Sequence, residues 1–123
     1  MRITELELTP VRTHREMGRR SPSDTERSVS EHLVVQLHTD TDIIGLGEMS
    51  DVNWEVTRSS SYDLRQRLEP VVVGSDLSQR EDLMSRLVAA GEWEHQVLCG
   101  IDIAIHDAVA RHQGQSVAEL LGG

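Results

Sequence analysis

The chain has 123 residues, one domain's worth, and sets 12 basic against 21 acidic residues for a net charge of −9. That length can bury roughly two-thirds of its unfolded surface around one core, but it is far short of the ~250 residues of a (β/α)8 barrel. A balance this negative repels phosphate backbones and anionic lipid, which argues against nucleic-acid and membrane partners.

Every basic residue is Arg and none is Lys. Two explanations stand side by side: a GC-rich genome that favours Arg codons, and a halophilic setting in which ions screen an acidic surface. Aromatics are limited to Trp54, Trp93 and Tyr62, so the core must rest on aliphatic side chains. Cys99 is the one cysteine, which rules out an intrachain disulfide, and it reads as a small buried thiol. There is no apolar run near ~18 residues and no signal peptide at Met1–Thr4, so a soluble, cytoplasmic protein is expected.

Residues 2–13 alternate, with Leu6 and Leu8 opposite Glu5 and Glu7, as in a half-exposed strand; Pro10 suits an edge. Residues 14–28 lack periodicity and read as a loop. A second strand is predicted at 29–38, with Leu33, Val35 and Leu37 facing one way. The polar turn 39–42 leads into a third strand at 43–49, forming a hairpin. Gly45 and Gly47 strip one face of that strand, which signals close approach by another backbone.

The period then changes to helical. Asn53 can cap a helix at 54–68 whose inner stripe is Val56, Ser60, Leu64 and Leu68, with Pro70 as its stop. Ser78 and Glu81 have the spacing of a capping box opening a helix at 79–90, with Leu83, Met84, Leu87 and Val88 buried. The longest apolar helix is predicted at 95–112. Ser116 and Glu119 form a second capping box, before a short helix at 117–121. Strands followed by helices give an α+β fold over a single domain, 1–123: a three-stranded antiparallel meander and then a helical layer.

No catalytic or metal-binding set emerges from the residues. His95 is isolated and His14 lies in the loop. His32 and His38 share a strand face but stand roughly 20 Å apart, too far to hold one ion. Asp102 and His106 read as a helix-surface bond, and Asp107 and Arg111 as a helix ion pair. No nucleophile elbow is present, and Ile44–Glu48 lies inside a strand, where a phosphate loop would not sit.

Three segments carry a family resemblance: ITELELTPVR at 3–12, HLVVQLHTDTDIIGLGEMS at 32–50, and GIDIAIHDAVARHQGQSVAELLGG at 100–123. In the last, Gly100, Ile101, Asp102, Ala104, Asp107, Ala110, Arg111, Val117, Leu120 and Gly122 fit the pattern. Val97, Ile105, His106 and Ser116 depart from it. Together they resemble the N-terminal capping domain of the mandelate racemase/muconate-lactonising family of the enolase superfamily. The resemblance implies an enolase N-terminal domain-like fold lacking the (β/α)8 barrel.

In that family the barrel supplies Mg2+ and a Lys or His base that removes the proton alpha to a substrate carboxylate. It implies an acid-sugar dehydratase, a racemase or epimerase, or a cycloisomerase, inactive without the barrel and carrying no cofactor in this chain. The expected partners are a barrel domain or barrel-bearing chain, a carboxylate substrate only with the barrel, and a possible homo-oligomer. By the same resemblance, 14–28 and 49–54 are substrate loops, which makes Met17, Arg19, Arg20, Met49, Asp51 and Trp54 the substrate-facing candidates. The alternative is a stand-alone interaction module, suggested by apolar residues on both sides of the 95–112 helix, more than one neighbouring layer would cover.

Overall fold

The computed structural model describes residues 1–14, 29–50 and 54–123; the side chains at 14, 29 and 54–60 lie outside that description. Three strands, β1 (Ile3–His14), β2 (Val29–Thr39) and β3 (Ile44–Met49), form one antiparallel sheet in the order β1-β2-β3. Helices α1 (Trp54–Val72), α2 (Arg80–Ala89), α3 (His95–Gln113) and α4 (Val117–Leu120) follow. The fold is the α+β meander-then-helices arrangement expected from the sequence.

Regular alternation would send Ile3 and Leu6 to opposite faces. A register shift between Ile3 and Glu5 absorbs one residue of β1 against β2, and both side chains end fully buried. Leu33, Val35, Leu37 and Met49 complete the inner face of the sheet. Pro10 sits on β1, an edge strand, where its missing N–H costs no ladder bond. The start of β1 is tied to the segment after α1: Ile3 donates to Ser75 O at 3.0 Å, and Gly74 donates to Ile3 O at 2.8 Å.

The sheet and α3 meet along small residues. A Cβ built on Gly45 would collide with the Ala104 carbonyl, and one on Gly47 with the Gly100 carbonyl. Gly100, Ala104 and Ala108 recur every fourth residue along α3, so helix backbone lies almost directly on strand backbone. Asp107 adds a clamp: its Oδ2 accepts the Leu46 N–H at 2.9 Å and the Arg111 Nε–H at 2.8 Å.

Pro70 does not stop α1. The helix runs to Val72, the Val73 N–H still reaches Glu69 O at 2.9 Å, and Gly74 at φ 86° marks the end. Burial of Leu68 and Val72 holds this last turn in place. Nor does Ser78 open α2 with a capping box. A 3-10 turn at Leu77–Gln79 comes first, capped by Asp76, whose Oδ1 accepts the Ser78 N–H at 2.9 Å. On α2, Leu83 and Leu87 are buried, but Val88 falls on the outer side and is 58% exposed.

Helix α3 buries Val97, Ile101, Ala104, Ile105, Ala108 and Val109 within this domain. The domain thus covers more of α3 than the interaction-module reading supposed, leaving Ile103 half exposed. Cys99, expected to be buried, is exposed on the same helix, one residue before the Gly100 seam. The helix closes on Gly114 at φ 68°, and the Ser116–Glu119 capping box opens α4.

Candidate functional site

An antiparallel meander puts the C-terminal ends of β1 and β3 beside the N-terminal end of β2. Segments 15–28 and 51–53 therefore both join the sheet at the same end. Surface hollows lined by Arg2, Ser75 and Arg86, and by Gln36, Asp42 and Ile44, lie toward the other end.

Of the six substrate-facing candidates, Met17, Arg19, Arg20 and Asp51 lie outside the described residues. So do the Asn53 cap and the loop expected at 14–28, apart from His14, which ends β1 instead. Trp54 begins α1, with its side chain outside the description. Met49 corrects an expectation. It shares the inner face with Gly45 and Gly47, is fully buried, and packs against Gly100, so its side chain serves the core.

What stands on the outer face at this end is a polar set that motif reading missed. The Ser50 hydroxyl donates to Glu48 Oε1 at 2.6 Å, and His32 Nδ1 lies 2.7 Å from the same oxygen. The imidazole approach is close, but Nδ1 lacks an aligned hydrogen-bond partner. The Ser50 hydrogen bond holds the Glu48 carboxyl below its ordinary value; partial burial opposes this, and His32 reinforces it. At the same end, but on the opposite face with Leu33, Arg12 and Glu31, paired across β1 and β2, approach to 3.3 Å. Farther along the outer face His38 Nε2 meets Glu7 Oε2 at 2.8 Å. The signal available in the sequence was outward parity on neighbouring strands, which becomes readable only once register is known.

His106 Nδ1 lies 2.9 Å from the Asp102 carbonyl, a helix-surface bond. Among the described residues no three His, Cys, Asp or Glu side chains converge to hold a metal ion. The described residues therefore do not fit the Mg2+ that the resemblance implies.

The fold and this end of the sheet define a class: an α+β domain whose sheet gives rise to two chain segments at one end. The chain belongs to the family described as mandelate racemase / muconate lactonizing enzyme, N-terminal domain, whose model matches residues 7–122. It is 35% identical over 97 residues to a D-galactonate dehydratase family member from Paenibacillus sp. (strain JDR-2), covering 73% of this chain and 23% of that protein. It is 33% identical over 98 residues to the L-Lys-D/L-Arg epimerase of Desulforapulum autotrophicum, covering 77% and 28%. The muconate lactonizing enzyme from Pseudomonas putida superposes with a TM-score of 0.81 at 19% identity, over 100% of this chain and 33% of that one. The matched region spans only about a quarter of the length of these curated relatives. Among the described residues no helix is long and apolar enough to cross a membrane.

Proposed function

We propose that this chain is the capping, substrate-selecting domain of a Mg2+-dependent enolase-superfamily enzyme that acts on a carboxylate substrate in the cytoplasm. The barrel would carry the metal and the base; this domain would shape the mouth, exclude water and read the part of the substrate away from the reacting carbon. One observation carries the reading: the strand ends that flank segments 15–28 and 51–53 lie at the same end of the sheet. Arg19 and Arg20 suit forked contacts with carboxylate or hydroxyl groups, and Met17, Asp51 and Trp54 are the remaining candidates.

The choice between dehydration, epimerisation and cycloisomerisation rests with the barrel. The relatives named above include a dehydratase family member and an epimerase, and a chloromuconate cycloisomerase of Pseudomonas sp. (strain P51) also matches at 35% identity over 89 residues.

The test is exchange of the α-proton of sugar acids, amino-acid derivatives and muconolactones with D2O in the presence of Mg2+. It compares residues 1–123 alone with the same sequence joined to a barrel. Exchange should require the barrel and should change its substrate ranking when Arg19 or Arg20 is replaced by Ala. Metal-dependent exchange by the purified 123-residue chain would sink the proposal.

A further inference from the structure

Among the described residues, the end of the sheet that the capping function needs is braced by a side-chain pair on each face. Arg12 and Glu31 link β1 to β2 on the face shared with Leu33, and His32 and Glu48 link β2 to β3 on the outer face. Glu48 makes contacts in two directions from a single oxygen. Its Oε1 reaches sideways to His32 and forward along the chain to the Ser50 hydroxyl, at 2.7 and 2.6 Å. Glu48 and Ser50 are two residues apart, so a bond between them fits only a limited set of backbone angles at Met49 and Ser50. The side chain of the intervening residue, Met49, is locked in the core against Gly100. The exit of β3 is therefore held on both faces, by packing inside and by a charge-assisted hydrogen bond outside.

We propose that Glu48 is a positioning residue: by bridging Ser50 and His32 it sets the direction in which the chain leaves β3, and so tunes which carboxylate substrate the enzyme accepts. The inference rests on the capping function above for its last step only. Its chemistry asks for an oxygen acceptor at 48, a hydroxyl at 50 and an imidazole close to that acceptor at 32. Ser50→Thr keeps the brace, whereas Ser50→Ala and Glu48→Leu remove it.

The test has two arms. In the 123-residue chain, backbone N–H residual dipolar couplings at Ser50 and Trp54 report the exit direction. They should change in Ser50→Ala and Glu48→Leu and match the unsubstituted chain in Ser50→Thr, with couplings in β2 and α3 unmoved. Unchanged couplings in Ser50→Ala would overturn the positioning role, and altered couplings throughout β2 would reduce it to general stability. In the barrel-bearing form, Ser50→Ala should shift the ratio of kcat/KM between two carboxylate substrates by about tenfold, the effect of losing one charge-assisted bond. The shift should lie mainly in KM, and Thr should restore it. Altered couplings with an unaltered ratio would overturn the link to specificity. A barrel-bearing form with no α-proton exchange would instead overturn the proposed function, and the couplings would still decide the role of Glu48.

Discussion

At the scale of single residues, the seam between β3 and α3 is where one added carbon matters most. Gly47 lies against the Gly100 carbonyl and Ala104, neither of which can swing aside. Gly47→Ala should lose about 2–3 kcal/mol of stability by overpacking. Gly74→Ala meets no neighbouring atom and carries only the strain of φ 86°, about 1 kcal/mol. Urea titration of both variants checks the order, and equal losses would contradict a rigid seam. Glu119 makes a different prediction. Its carboxyl sits below its ordinary value of 4.5 because the Ser116 N–H, and then the Ser116 hydroxyl, bond the charged form. A folded value below the unfolded one means the contribution is complete above 4.5 and fades as pH falls through the lower folded value. Glu119→Gln should therefore be less stable than the unsubstituted chain at pH 7 and converge with it in strong acid, read from urea midpoints across pH.

At the scale of elements, α1 shows packing overriding a local stop signal. Pro70 removes one helical N–H, but it stands in the last turn, where Leu68 and Val72 are buried and Gly74 supplies the exit. Pro70→Ala should shift stability by under about 1 kcal/mol in either direction, since the recovered hydrogen bond is offset by a looser unfolded chain. A gain near the ~3 kcal/mol cost of a mid-helix proline would show the turn to be strained. The β3 edge follows the same logic. Asp107 looks like half of an i,i+4 ion pair, and it is, but its Oδ2 also takes the Leu46 N–H of an edge strand. One side chain thus covers an open edge donor as well as pairing with Arg111.

At the scale of the whole molecule, charge is the dominant feature. With a net charge of −9, self-repulsion opposes the compact state, and salt shortens its reach from about 10 Å at 0.1 M to about 3 Å at 1 M. The thermal midpoint should rise by several degrees over that range in NaCl, and a midpoint that falls would exclude adaptation to concentrated salt. Mg2+ should act on this chain only through ionic strength, since no three candidate ligands converge among the described residues. A saturable shift at micromolar Mg2+ would reveal a site there.

The sequence alone determined whatever depends on near neighbours. Alternation marked the strands, the polar turn marked the hairpin, and Ser116 with Glu119 marked the start of α4. Gly45 and Gly47 announced a close approach without saying by what. The terminal signature from Gly100 to Gly123 carried the family resemblance, because its Gly, Ala and Asp positions are those the seam and the clamp require. The tertiary structure decided what depends on partners far along the chain. Met49 had the parity of Gly45 and Gly47, yet its burial required α3 to be in place. Cys99 and Val88 looked apolar enough to bury but fell on the outer sides of their helices. The set of His32, Glu48 and Ser50 exists only in the β2–β3 register. Periodicity records which residues share a face; which neighbour covers that face is settled by packing between segments tens of residues apart, and local spacing holds no record of that.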